Sequence, residues 1–180
     1  LFLDIIADDG HGGRSLTKVN VVANRKPVIE DIPEIVVREH QAFSVTLPES
    51  AFHDPDGDTV HTSGNYVQTY NPLTRQYETL ANYNASTKTI YGQAGDFGVG
   101  TYYLTLTAMD SFTKSGQEPD GDAKAWVANA SKPVKITVLN EYDAPRLIAP
   151  LSDLAVQEDQ SLYLYTSNAF YEVDRDQTLS

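Results

Sequence analysis

Apolar and polar residues alternate along much of this 180-residue chain, with a period of two. The pattern is clearest in residues 102–108, Tyr-Tyr-Leu-Thr-Leu-Thr-Ala, and returns in 35–37, 42–47, 89–92 and 134–139. A period of two is typical of β-strands with one buried face, and no segment keeps the 3.6-residue apolar period of an amphipathic helix. Short strands separated by turn residues predict an all-β fold, an immunoglobulin-like or cadherin-like antiparallel β-sandwich.

Distant parts of the chain also resemble one another in sequence. The matching pairs are 36–43 with 155–162, 52–58 with 170–176, and 2–9 with 103–110. Similarity at a long spacing predicts tandem domains, and the shorter spacing of the third pair indicates that the complete copy has a longer last loop. On this interpretation residues 1–24 are the C-terminal part of one repeat, residues 25–141 form a complete repeat, and residues 142–180 begin the next. A central repeat of this length is large enough to fold around its own core.

Composition narrows the classes of partner. The formal net charge of −12 argues against nucleic acid, because phosphate binding needs a basic surface. The apolar runs are too short for membrane insertion, and the absence of cysteine excludes a disulfide framework. Divalent cations would relieve the self-repulsion of such an acidic chain.

Residues 52–58, Phe-His-Asp-Pro-Asp-Gly-Asp, carry the strongest chemical signal. Their aspartates alternate across a Pro-Gly turn, and hard oxygen ligands at this spacing suit Ca²⁺. The alternative is a solvated acidic turn, but the recurrence of the pattern at 170–176 favours calcium. An EF-hand is excluded, because Thr59 and Asn65 stand where its loop needs Gly and Glu. The candidate ligands are Asp54, Asp56 and Asp58 in the first copy and Glu172, Asp174 and Asp176 in the second.

The order of strands in a sandwich predicts which other oxygen ligands join each acidic turn. At the end where the chain enters the central repeat we expect the first turn, Asp110 and the linker residue Asn24. At the opposite end we expect the second turn with Glu39 and Asp96, and the outgoing linker with Asn140 and Asp143. Each junction then collects ligands from two repeats and their linker, so bound Ca²⁺ would stiffen it.

The order of short motifs resembles dystroglycan-type cadherin-like repeats of large bacterial surface adhesins, over the whole central repeat and both flanking segments. The motifs are Glu39, Phe-x-Asp-Pro-Asp-Gly-Asp at 52–58, Asn84-x-x-Thr87-x-Thr89-Ile90-x-Gly92, Gly100-Thr101-Tyr102, Ala108-Met109-Asp110 and Val138-Leu139-Asn140. The resemblance implies an extracellular, calcium-binding extender or adhesion segment on a bacterial cell surface. It implies as calcium ligands Glu39, Asp54 or Asp56, Asp58, Asp110, Asn140 and Asp143.

Two positions depart from the pattern of that family. The first linker has the basic residues Arg25 and Lys26 where acids are expected, which predicts a weaker calcium site there. In the second acidic turn Arg175 stands at the place of Gly57, so that turn is expected to differ in geometry.

A second interpretation is a glycan- or peptide-binding module. Its binding surface would be tyrosine-rich strands within residues 66–83, with Tyr66, Tyr70, Tyr77 and Tyr83, or the loop 111–130, which repeats Pro-Asp-Gly-Asp. No catalytic motif is present, so we expect no enzyme activity. Incomplete repeats at both ends would leave strands unpaired, and such edges favour self-association between chains.

Overall fold

The structure is a computed structural model that describes residues 2–21, 23–111, 128–166 and 168–174. Asp176, Arg175 and most of the loop 111–130 lie outside the described residues. The described residues form strands and one short 3₁₀-helix, Glu49–Ala51. The strands are β1 (Phe2–Asp8), β2 (Arg14–Asn20), β3 (Val28–Ile29), β4 (Ile35–Arg38), β5 (Ala42–Thr46), β6 (Phe52–His53), β7 (Thr59–Gly64), β8 (Val67–Asn71), β9 (Gln76–Asn84), β10 (Thr89–Gln93), β11 (Gly100–Ser111), β12 (Asn129–Leu139), β13 (Arg146–Leu147) and β14 (Phe170–Tyr171).

Two four-stranded sheets build the central sandwich. One has the strand order β5-β10-β9-β8 and the other β4-β12-β11-β7. Neighbouring strands are antiparallel except for β4 and β12, which run parallel. The prediction of an all-β sandwich is confirmed, and each of the five strands expected from alternation is present. Within the described residues, no helix has the length and apolarity needed to cross a bilayer.

The core lies between the two sheets and follows the period of two. Along β11, Leu104 and Leu106 are completely buried, whereas Tyr103, which directly precedes Leu104, is 58% exposed. Ile136 on the neighbouring strand β12 is also fully buried, and Ile90 meets this layer from the opposite sheet. Alternate inward-facing side chains from both sheets therefore fill one continuous core.

Strands β8 and β9 of the tyrosine-rich stretch were not identified from alternation, and for β9 a bulge explains why. Val67 pairs with Ala81 and Gln68 pairs with Thr79, so Leu80 is an extra residue on β9. The bulge lets the adjacent Leu80 and Ala81 both be buried, at 1% and 0% exposure. Two consecutive buried residues break the alternation by which sequence patterns identify strands.

Short two-stranded sheets flank the sandwich on either side. The hairpin β1–β2 precedes it, with Leu3 opposite Val19. Beyond it, β13 pairs with β14 as β3 pairs with β6. The paired residues are Arg146 with Tyr171 and Leu147 with Phe170 in the later pair, and Val28 with His53 and Ile29 with Phe52 in the earlier one.

Candidate metal centre

The N-terminal junction, formed by Asn24, Arg25, residues 54–58 and Asp110, comes together as the sequence predicts. Asp110, near the end of β11, is 2% exposed. Its Oδ1 accepts a hydrogen bond from the backbone N–H of Ala128 at 2.9 Å, and its Oδ2 accepts one from Asn24 Nδ2 at 2.8 Å. The linker is thus tied directly to the end of the central sheet.

Asp54 organises the acidic turn beside this contact. Its Oδ1 accepts hydrogen bonds from the backbone N–H groups of Asp56 at 2.7 Å and Asp58 at 3.4 Å. Gly57 has a φ of 84°, a left-handed conformation that glycine adopts without strain. Loss of solvent raises the pKa of Asp58, and the negative charges of Asp54, Asp110 and Asp56 raise it further. The buried Oδ2 atoms of Asp54 and Asp58 have no hydrogen-bond partner among the described residues.

Arg25 places a cation of the protein itself in this junction. Its backbone N–H donates to Asp56 Oδ2 at 2.7 Å, and its Nε donates to Asp56 Oδ1 at 2.8 Å. The guanidinium also donates to the carbonyl oxygen of Pro55 at 2.5 Å. These contacts hold the pKa of Asp56 below its ordinary value. Asp56, expected to bind calcium, is therefore already neutralised by an arginine.

The C-terminal junction is centred on Glu39, in the turn that follows β4. Its side chain is 1% exposed, and its backbone N–H donates to Leu139 O at 3.1 Å. Oε1 accepts a hydrogen bond from the backbone N–H of Glu141 at 3.1 Å, whereas Oε2 is buried without a hydrogen-bond partner among the described residues. Burial raises the pKa of Glu39, and the charges of Asp143 and Asp174 raise it further.

Two more carboxylates approach Glu39 from the linker and from the C-terminal segment. Asp143 donates its backbone N–H to Asp174 Oδ2 at 3.0 Å, and Asp174 donates its own to Glu172 Oε1 at 3.1 Å. Asp174 is 3% exposed. One oxygen from each of Glu39, Asp143 and Asp174 lies within 4.8 Å of the others, and we name these three residues the carboxylate cluster.

A second group of ligand-type side chains borders the cluster. His40 Nε2 lies 2.7 Å from Asp96 Oδ1 and 3.8 Å from Asp143 Oδ2. Arg146 lies 2.6 Å from the other oxygen of Asp96. The contact with Asp96 raises the pKa of His40, and the charges of Asp143 and Glu39 act in the same direction. Asp96 reaches the predicted junction, but its two oxygens already contact His40 and Arg146.

Sequence reasoning missed His40, Arg146 and the binding of Arg25 to Asp56. His40 has no metal-ligand spacing to another histidine, and only its position directly after Glu39 signals a role. A φ of 60° in this turn lets the His40 ring reach Asp96. Of the other predicted ligands, Glu172 uses its carboxylate to accept a hydrogen bond from the backbone N–H of Asp174, and Asn140 is half-buried at the start of the linker.

The donor set of the carboxylate cluster fits a hard divalent cation. Its members have three buried oxygens without a hydrogen-bond partner among the described residues, namely Glu39 Oε2, Asp143 Oδ2 and Asp174 Oδ1. Buried carboxylates are costly unless cations or donors compensate them. Carboxylate oxygens suit Ca²⁺ or Mg²⁺ better than they suit softer metals. A cation bound among these oxygens would supply the contacts that they lack and would reduce the repulsion between the carboxylates.

An aromatic cleft of about 690 Å³ lies next to the cluster. Tyr70, Phe97, Tyr102 and Tyr171 line it, and Asp174 borders it. The rings of Phe97 and Tyr171 meet edge to face with centroids 6.1 Å apart. The cleft therefore spans the boundary between the sandwich and the segment that follows it.

Comparisons with known proteins assign no family to the chain. No protein family model matches it, and no curated protein matches it. One solved structure that the chain weakly resembles is a nucleoside hydrolase-related hypothetical protein from Saccharophagus degradans that is associated with carbohydrate metabolism. The two share 19% sequence identity and a TM-score of 0.43, over 65% of this chain and 26% of that one. The present chain spans about a quarter of that protein, and a likeness this weak does not bear on function.

Proposed function

We propose that this chain is a calcium-binding extender segment of a large extracellular bacterial adhesin, built from dystroglycan-type cadherin-like repeats. The observation that carries the proposal is the carboxylate cluster, in which two nearly fully buried acids, Glu39 and Asp174, meet Asp143. Ca²⁺ accepts six to eight oxygens in an adaptable shell, so backbone carbonyls and water would complete the coordination.

The three ligands come from different parts of the fold, so a metal bound to them would stiffen the junction. Glu39 belongs to the turn after β4, Asp143 to the linker, and Asp174 to the segment after β14. A single ion bound to all three would join the sandwich, the linker and the following segment. Without the ion, mutual repulsion of the carboxylates weakens the same joint.

Repeated local structure supports the proposal of tandem repeats. The turn that follows each matched glutamate contains a residue with positive φ, 60° at His40 and 67° at Asp159. The same backbone hydrogen bond closes both turns, from Gln41 to Arg38 and from Gln160 to Gln157, each at 3.3 Å. The pairings of β3 with β6 and of β13 with β14 also fall at matched positions.

The two junctions are proposed to differ in their dependence on calcium. At the N-terminal junction Arg25 neutralises Asp56, so a bound metal would have fewer ligands and would compete with a fixed positive charge. At the C-terminal junction Arg146 and His40 contact Asp96, and His40 also lies 3.8 Å from Asp143 Oδ2, but no basic side chain among the described residues pairs with Glu39 or Asp174. We therefore assign the stronger calcium site to the carboxylate cluster.

A calcium titration of the thermal melt tests this function. The melting temperature should rise by several degrees in Ca²⁺ relative to chelator and saturate in the millimolar range of extracellular modules, with a smaller response to Mg²⁺. Asp174→Asn should abolish most of that rise. Asp153→Asn, which removes the same charge from an exposed position of the same segment, should keep it. Equal calcium responses in the two variants would contradict the assignment.

The aromatic cleft favours a second candidate function, the binding of a glycan or an aromatic-rich peptide. Tyr70 is 47% exposed and packs edge to face against Tyr77, which leaves ring surface available for stacking. Titration with soluble polysaccharides, followed by tyrosine fluorescence, should show saturable binding that Tyr70→Ala weakens. Unchanged fluorescence with every glycan would leave the extender role as the proposed function.

A further inference from the structure

His40, Asp96 and Asp143 bring one nitrogen and two oxygens together beside the carboxylate cluster, and we name these three residues the histidine site. One ligand-type atom from each lies within 4.8 Å of the others. His40 comes from the turn after β4, Asp96 from the loop between β10 and β11, and Asp143 from the outgoing linker. The carboxylate cluster offers side-chain oxygens alone, so the imidazole gives this second group a different chemistry.

An ion pair alone does not satisfy the polar atoms of the histidine site. His40 Nε2 lies 2.7 Å from Asp96 Oδ1, which is a hydrogen-bond distance, but 3.8 Å from Asp143 Oδ2, which is too far for one. Asp143 Oδ2 is buried and has no hydrogen-bond partner among the described residues. One ring N–H group can satisfy one of the two carboxylates, whereas a metal ion can bind both of them and the imidazole nitrogen.

The spacing of these atoms is close to that of a tetrahedral zinc site. Zinc bonds to nitrogen and oxygen of about 2.0–2.1 Å, arranged tetrahedrally, separate neighbouring ligand atoms by about 3.3–3.4 Å. The distances of 2.7 Å and 3.8 Å from His40 Nε2 lie on either side of that value, so shifts of about half an ångström would accommodate the ion. Three protein ligands would leave the fourth position of the metal to water.

Contacts outside the histidine site hold His40 and Asp96 in place. The backbone N–H of His40 donates to Ala94 O at 2.8 Å, and its carbonyl oxygen accepts a hydrogen bond from Gln93 Nε2 at 2.8 Å. Arg146 lies 2.6 Å from Asp96 Oδ2, which leaves Asp96 Oδ1 beside the imidazole. Partners of this kind orient the ligands of metal sites. The ligands therefore need little rearrangement to bind an ion.

We propose that the histidine site binds Zn²⁺. Imidazole nitrogen suits zinc, whereas Ca²⁺ takes oxygen ligands, so His40 distinguishes this site from the proposed calcium site. A zinc ion bound here would tie the linker to the sandwich without using Asp174 or any other residue of the following segment. Zinc binding does not depend on the proposed calcium site, although Asp143 belongs to both groups.

Isothermal titration of the calcium-free chain with Zn²⁺ tests the proposal. The parent should bind zinc in a one-to-one ratio, and His40→Asn should remove that binding. Asparagine adopts the positive φ of this position more readily than most residues do, so the variant should keep the turn. The matched control is His61→Asn, which removes an exposed histidine from β7 and should bind zinc as the parent does.

Asp174→Asn separates the histidine site from the carboxylate cluster. That variant should lose the rise in melting temperature with calcium and still bind zinc, whereas His40→Asn should lose zinc binding and keep the calcium response. Failure of the calcium response in the parent would therefore not alter the zinc result. A parent that binds no zinc, or equal zinc binding by His40→Asn and His61→Asn, would overturn the proposal. Loss of zinc binding in Asp174→Asn would also overturn it, because the ion would then belong to the carboxylate cluster.

Discussion

At the residue scale, the surroundings of one buried oxygen, Glu39 Oε2, decide whether its carboxylate stabilises or destabilises the fold. Its partner atom Oε1 accepts a hydrogen bond from the linker, so the carboxylate is fixed in place, and Oε2 is left among the negative charges of Asp143 and Asp174. This arrangement is unfavourable for a protein without bound cations and favourable for one that binds them. The same carboxylate therefore has opposite effects on stability in chelator and in calcium.

Replacing Glu39 with Gln separates these effects. In chelator, Glu39→Gln should be at least as stable as the parent, because the variant removes a charge that is buried without a cation. In calcium, the variant should lose most of the rise in melting temperature. The two comparisons require thermal melts at one pH with and without calcium. A large loss of stability in chelator would show that the carboxylate is stabilising without metal.

The raised pKa of Glu39 also gives a signed dependence on pH. A carboxyl whose pKa is raised in the folded state binds more protons there than in the unfolded chain. In chelator, its contribution to the free energy of unfolding should therefore fall as pH rises from the ordinary glutamate pKa through the raised value. Glu39→Gln should lack this contribution, which urea denaturation of both proteins across that range would measure. Parallel stability curves for the two proteins would contradict it.

The acidic residues of the junctions could be predicted from the sequence because they recur. The basic side chains that bind some of those acids could not. The spacing of Asp54, Asp56 and Asp58 indicated an acidic turn, and the structure brings Asp110 and Asn24 to it. Nothing in the spacing shows that the guanidinium of Arg25 reaches Asp56, since that contact depends on the direction of the linker. Local patterns identify ligand types, but the three-dimensional path of the chain decides which ligands are already occupied.

Strand β11 is the element that supports both the core and the N-terminal junction. Its inward residues Leu104 and Leu106 are completely buried, and Asp110 near its end binds Asn24. A strand placed between β12 and β7 cannot shift by one residue without exposing these leucines and burying polar neighbours. The position of the junction is therefore fixed by packing several residues away.

Truncation of a core residue on β11 measures how much the packing of this strand contributes to the stability of the fold. Leu104→Ala should lower the free energy of unfolding by about 2–5 kcal/mol, because it removes buried methyl groups and leaves a cavity. Tyr103→Ala on the outer face, where the side chain is 58% exposed, should change it by about 0.5 kcal/mol or less. Urea denaturation of both variants in chelator provides the comparison, and similar losses would mean that β11 is not packed as described.

The strands best predicted from the sequence are those with one buried and one solvated face. Strand β11 alternates strictly and was recognised from that pattern, whereas β9 contains the bulge at Leu80 and was not identified from alternation. The parallel pairing of β4 with β12 is also invisible in the alternation, because it joins segments about a hundred residues apart. Alternation reports burial along one strand and contains no information about its neighbours.

At the scale of the whole molecule, the proposed calcium site depends on the conformation of the linker between the sandwich and the segment after it. Arg146 follows this linker, and its guanidinium contacts Asp96 of the sandwich. Because Glu39 belongs to the sandwich, Asp143 to the linker and Asp174 to the segment beyond it, opening of the joint would separate the three ligands. Bound calcium should therefore reduce the population of open joints by the linkage between binding and opening.

Trypsin cleavage after Arg146 reports that opening directly. With calcium at ten times its dissociation constant, cleavage there should slow about tenfold if only the closed joint binds the ion. Cleavage after Arg14 in the exposed hairpin is the internal control, because calcium also affects trypsin itself. In Asp174→Asn the rate after Arg146 should no longer respond to calcium, whereas in Asp153→Asn it should respond as in the parent. If calcium changes cleavage at Arg14 and Arg146 to the same extent in every variant, the ion does not close this joint, and stiffening of the chain must be rejected even where calcium raises the melting temperature.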